Sequence, residues 1–122
     1  MADDARQILG RLGERLALDH YQRLGFELLD RNYRTRAGEI DLVICDGTTI
    51  VFAEVKTRVA GGLDPLLAIT APKRRRMRAL AAAWLADRSS RPRTQALRID
   101  AVGVLVDARG ALVTLEQVED VA

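Results

Sequence analysis

With 122 residues, nearly half of them apolar, the chain has material for one domain with a real core, and its 30% charged residues fit a globular rather than a disordered protein. No apolar run approaches the roughly 20 residues of a membrane span. The opening Met-Ala-Asp-Asp lacks the basic stretch of a signal peptide. A single Cys, Cys45, excludes an intrachain disulfide and a cysteine zinc cluster. These points predict one domain over 1–122 in a reducing, cytoplasmic compartment, with no membrane partner.

Asp3 or Asp4 caps a predicted helix running to about Leu24, with Ile8, Leu9, Leu12, Leu16 and Leu24 as its apolar stripe and Gly25 as its stop. Phe26 to about Tyr33 reads as a first strand. A hairpin of Gly38–Ile44 and Thr49–Arg58 follows, turning near Asp46-Gly47. After the Gly61-Gly62 loop, Asp64–Ile69 reads as a short helical turn. Thr70 and Pro72 then open a helix whose buried face is Met77, Leu80, Ala81, Trp84 and Leu85. That helix frays over 87–90, and Arg91, Pro92 and Arg93 read as loop. Leu97–Val106 is a long strand, Asp107–Gly110 a turn and Ala111–Leu115 an edge strand. The order predicts an α/β fold, a mixed five-stranded sheet flanked by helices. The connection from the second hairpin strand to Leu97 predicts parallel neighbours. Asp100 then either approaches the hairpin or pairs with Arg98.

The chemistry concentrates in that hairpin. Alternation puts Glu39 and Asp41 on one face of the first strand and Glu54 and Lys56 on one face of the second. In the matching register three carboxylates and an ammonium meet. Carboxylates so placed repel unless a cation sits among them, and hard oxygen ligands favour Mg²⁺ or Mn²⁺. A Lys beside such an ion can orient or deprotonate a water aimed at a phosphodiester. The apolar neighbours of Asp41 and Glu54 mean that neither charge is solvated for free. A Glu54–Lys56 pair on a surface edge strand is the bland alternative.

Charge is uneven along the chain. Residues 31–99 carry fourteen Lys or Arg against six acids, while both ends are net acidic. A basic field around an acidic site suits an anionic polymer. Arg31, Arg34 and Arg36 precede the hairpin strands, and Arg58 shares the face of Lys56; all are candidate phosphate contacts. Lys73, Arg74, Arg75, Arg76 and Arg78 crowd a helix start, where the dipole disfavours cations, pointing to an external anion; a solvated face is the alternative. Scarce aromatics argue against stacking platforms. His20 and Cys45 read as packing residues.

The runs Gly10-x-x-Gly13-Glu14-x-x-Ala17, Gly25-Phe26, Arg31-Asn32-Tyr33-Arg34, Gly38-Glu39-Ile40-Asp41-Leu42 and Val51-Phe52-Ala53-Glu54-Val55-Lys56-x-Arg58 resemble the YraN-like family of bacterial proteins. The likeness continues through Ala68-Ile69-Thr70 and Lys73-Arg74-Arg75-Arg76. Departures at His20-Tyr21, Ala53 and Leu63 touch only packing. That family is similar to the restriction-endonuclease-like and Holliday-junction-resolvase-like PD-(D/E)xK nucleases. The resemblance implies an αβββαβ core and Mg²⁺- or Mn²⁺-dependent endonuclease action on structured or branched DNA. It implies Asp41 and Glu54 as metal ligands, with the Val55 carbonyl as a further one. Lys56 is then the residue that acts on water, and Glu14 the extra acid of the site. Glu39 either assists or is structural, and Glu14 alternatively pairs with Arg11 or Arg15. Symmetric cleavage of a junction would need a homodimer. The other readings are a non-catalytic nucleic-acid-binding module and an interaction protein with an acidic partner.

Overall fold

A computed structural model describes residues 2–88, 92 and 96–121. The elements are α1 (Ala2–Arg23), β1 (Glu27–Thr35), β2 (Gly38–Cys45), β3 (Thr49–Val59), a 3₁₀ turn (Pro65–Ala68), α2 (Ala71–Asp87), β4 (Ala96–Val106) and β5 (Leu112–Val118). They form one mixed sheet in the order β1-β2-β3-β4-β5. β3 and β4 are parallel from Thr49↔Ala96 to Val59↔Val106, and the other pairs are antiparallel. This is the expected αβββαβ core plus an edge strand. The second crossover strand is the immediate neighbour of β3, as the connection predicted. Ser89, Ser90, Arg91 and Arg93 lie outside the described residues.

Each face of the sheet buries one helix. Ala17, Leu18 and Tyr21 of α1 pack on Leu42, Ile44, Val51, Ala53, Val102 and Val104. Met77, Leu80, Ala81 and Trp84 of α2 pack on the other face, against Val43, Cys45, Ile50 and Phe52. The α2 face is the one read from its periodicity. Thr70 caps this helix, its hydroxyl accepting from the Lys73 N–H. The α1 stripe is corrected. Leu9, Leu12 and Leu16 pack against the core as read, but Ile8 is 65% exposed and Leu24 55%, and the fully seated residues of the helix are Ala17, Leu18 and Tyr21.

Gly13 sets how closely α1 approaches β3. A Cβ built there would lie 1.6 Å from Thr57 Oγ1 and 2.7 Å from Thr57 Cβ. Rotating the Thr57 hydroxyl away would not relieve the approach of its Cβ, which is fixed to the strand backbone. Gly13→Ala should therefore destabilise the fold, overpacking of about 1–3 kcal/mol exceeding the better helix propensity. Gly10→Ala, whose Cβ meets nothing within 4 Å, should instead stabilise by about 0.5–1 kcal/mol. Thermal melts of the two variants bracket the wild type if this contact sets the helix position.

A candidate metal centre at a fork in the sheet

Two strands part at the carboxylates. The β2–β3 ladder runs from Cys45↔Ile50 to Leu42↔Ala53 and stops. In that register the next hydrogen-bonded pair would be Ile40 with Val55. It does not form. Instead the Val55 N–H donates to Asp41 Oδ2 at 2.7 Å. Beyond this point β3 stays with β4, while β2 stays with β1 as far as Thr35↔Gly38. Alternation breaks at the same place: Ile40 joins the α2 core and Leu42 the α1 core, although both are even-numbered positions. Asp41 thus points into the fork between strands rather than onto either face. The Val55 carbonyl, aimed along the strand edge as its N–H is, faces the same gap.

The fork admits carboxylates from both sides. Oxygen atoms of Glu14, Glu39 and Asp41 all lie within 4.8 Å of one another. Asn32 holds two of them: its amide donates to Glu14 Oε1 at 3.1 Å and to Glu39 Oε1 at 2.7 Å. Asn32 sits opposite Asp41, between the pairs Arg31↔Leu42 and Tyr33↔Ile40, with φ 52°. Asn accepts that left-handed conformation more readily than most residues, and it turns the amide toward the acids. Glu39 also accepts from Arg34 Nε at 2.7 Å, so Arg34 adds to the site's charge balance while its side chain stays 76% exposed. Glu14 pairs with neither Arg11 nor Arg15; it is drawn into the cluster.

Glu54 lies on the α2 side of the fork and is buried. Its carboxylate holds Lys73 Nζ at 2.9 Å and Lys56 Nζ at 3.6 Å. The Glu54–Lys56 pair therefore exists, but inside the protein and not on an edge strand. Lys73 is a correction to the sequence reading. It reaches down from the first turn of α2 to Glu54 instead of facing solvent with its basic neighbours. Of those neighbours, Arg74 caps the Ile69 carbonyl at 3.4 Å and the stem of Arg76 covers Gly38, while Arg75 and Arg78 are exposed. Arg31, Arg36 and Arg58 are exposed as expected.

Burial and mutual repulsion raise the proton affinity of the acids. Burial first, then the charge of Glu54, pushes the Asp41 carboxyl up to about 8, against the opposing pull of the Val55 N–H. Burial also raises Glu14, with Glu39 and Glu54 adding and the Asn32 hydrogen bond opposing. Such a set relaxes when protons or a cation neutralise it.

Asp100 does not approach the fork. It is fully buried beside α1, paired to Arg98 and bonded to Tyr21, Gln117 and the Asp120 N–H. The ion pair expected from sequence is present, in mid-strand rather than near a strand end. His20 belongs to this packing, its Nε2 2.7 Å from Gln117 Oε1. One contributor to the fork, Asn32, was missed as a site residue, and Lys73 was read as a contact to an external anion rather than as a partner of Glu54. The signals available were the Asn within Arg31-Asn32-Tyr33-Arg34 and a lysine beside a helix cap.

Fold and fork together define an α/β domain with a split central hairpin, an acidic cluster in the split and two lysines on its far wall. Residues 13–104 match the uncharacterised protein family UPF0102, a span containing every residue of the fork. A UPF0102 protein of Streptomyces griseus is 49% identical over 112 residues, covering 91% of this chain and 93% of the relative. Those of Mycobacterium avium (48% over 104 residues, 83% and 80%) and Mycobacterium tuberculosis (45% over 106, 84% and 81%) are similar too. The chain belongs to the UPF0102, or YraN-like, family, as its motifs implied. No helix among the described residues is long and apolar enough to cross a membrane.

Proposed function

We propose that this protein is a divalent-metal-dependent endonuclease acting on structured or branched DNA. The observation that carries the proposal is the fork, where the Asp41 carboxylate replaces a ladder hydrogen bond and gathers Glu14 and Glu39 around it. An all-oxygen donor set of this kind fits Mg²⁺ or Mn²⁺. Asp41, Glu39 and Glu14 would hold the ion, with Glu54 and the Val55 carbonyl completing the set. The bound ion supplies a polarised phosphate oxygen and a water of lowered pKa.

The chain's own groups do the rest. Asn32 keeps Glu14 and Glu39 aimed inward. Lys56, beside Glu54 and one-third exposed, is placed to orient the attacking water and to meet charge developing on the phosphate. Lys73 compensates Glu54 and keeps it extended toward the fork. Arg31, Arg36, Arg58 and Arg75 offer exposed positive charge to flanking phosphates. Symmetric cut sites on a junction would require two copies of the chain.

The test uses labelled duplex, flap, four-way and single-stranded DNA with Mn²⁺ or Mg²⁺. Wild-type protein is expected to cut at least one branched substrate, and Glu54→Ala and Lys56→Ala to lose about 100-fold or more in rate. A wild type inert on all four with either ion overturns the reading. The Lys73–Glu54 ion pair favours a second reading, a nucleic-acid-binding module in which the ammonium permanently replaces a metal. That reading expects salt-dependent binding with no turnover.

A further inference from the structure

We propose that the groove between α1 and the β4–β5 turn is a short track for an unpaired nucleic-acid strand leading to the fork. The groove is open to solvent and has a volume of about 920 Å³, within the range of pockets that take ligands of a few nucleotides' size rather than a long surface track. Arg11 and Arg15 from α1, Arg31 from β1 and Arg109 from the turn line it. Among the described residues none of these four guanidinium groups makes a close salt bridge, although the charge of Arg11 is felt by Glu14. Four guanidinium groups against the single carboxylate of Glu14 leave the lining net positive, and such an excess around a concavity focuses the field on an anion.

The floor is apolar. Ile8 is the most exposed residue of the α1 stripe and lines this groove with Leu12. A strand whose bases are unpaired can lay apolar faces there while its phosphates meet the arginines; a duplex keeps its bases stacked inside. Glu14 and Asn32 line the same groove, so a strand seated in it ends at the acidic cluster. The track rests on the nuclease reading only for what happens at that end. It also draws on residues 1–30, whose net charge is −2 and to which charge alone gave no part in nucleic-acid contact.

The experiment is fluorescence anisotropy in EDTA, so that nothing is hydrolysed, with a labelled single strand of about ten nucleotides and a blunt duplex of the same sequence. The single strand is expected to bind more tightly. The Arg11→Ala/Arg109→Ala double variant is expected to weaken that binding about 10-fold and to lower the slope of log affinity against log salt by about 1.4. Both arginines are exposed, so its melting temperature should match the wild type. Arg23→Ala, at the far end of α1 and outside the groove, should leave affinity unchanged. Tighter duplex binding, a wild-type salt slope in the double variant, or no binding at about 50 mM salt overturns the track. Mn²⁺ binding at the fork is measured separately by titration, so either result stands without the other.

Discussion

Asp41→Ala should abolish Mn²⁺ binding in a calorimetric titration. The reason lies in how the site is held together. Among the described residues, Asp41 is the one side chain that both closes the fork, through the Val55 N–H, and sits in the carboxylate trio. Its removal leaves Glu14 and Glu39 attached to Asn32 without the group that centres them. The pH dependence carries the same signature. The Asp41 carboxyl is pushed up to about 8, so at pH 7 it is largely protonated without metal. Metal must displace that proton, and apparent affinity should rise as much as tenfold per pH unit between about 6 and 8, then level off. Titrations in buffers of different ionisation enthalpy should report about one proton released per ion at pH 7. A pH-independent affinity, or an alanine variant that still binds, would remove Asp41 from the centre of the site.

The same shift has a consequence for metal-free stability. Asp41 has a folded pKa above its unfolded value, so its contribution is full below about pH 4 and is lost as pH rises through about 8. Asp41→Asn, which cannot ionise, should melt above wild type at pH 8.5 in EDTA, by at least about 1 kcal/mol, with the advantage shrinking toward pH 4. A buried acid that weakens the fold it stands in is the pattern expected of a functional site.

Asp100→Ala should cost about 3–5 kcal/mol of folding stability. Asp100 is fully buried and accepts from Tyr21 at 2.8 Å, Gln117 at 3.0 Å, Arg98 at 2.9 and 3.0 Å, and the Asp120 N–H at 3.2 Å. Its acceptor capacity is full, so its charge is compensated as burial demands. Truncation leaves the Tyr21 hydroxyl without its acceptor and the Arg98 guanidinium with only the exposed Glu119, at 3.6 Å. Against a total of about 5–15 kcal/mol for a domain, that is a large fraction. Urea unfolding should show a lower midpoint with an unchanged slope. Tyr21→Phe, which removes one donor and leaves the charge pair, should cost only about 1 kcal/mol. A midpoint for Asp100→Ala within about 0.5 kcal/mol of wild type would mean that the network is incidental. The network also bears on function. Tyr21 lies seven residues, two helical turns, beyond Glu14 on the same face of α1, so anchoring Tyr21 to β4 fixes the angle at which Glu14 enters the fork.

The sequence by itself determined the element order, the two helix-bearing faces of the sheet and the identity of Asp41, Glu54 and Lys56 as the unusual charges. These are local properties: strand alternation, caps such as Thr70, and charged residues amid Val, Ile, Leu and Phe are visible within a few positions. Tertiary structure alone decided which groups surround those charges. Asn32 reaches Glu14 across eighteen residues, and its left-handed turn depends on the register of β1 with β2. Lys73 meets Glu54, nineteen residues earlier in the chain, only because the first turn of α2 packs over β3. Arg34 pairs with Glu39, and Ile8 is left bare beside Arg11 and Arg109, because helix and turn close over the sheet at particular angles. Spacing in a chain encodes which face a side chain takes on its own element; the distance between elements is set by packing, and at this site packing turns on a single missing Cβ at Gly13 and one interrupted ladder at Asp41.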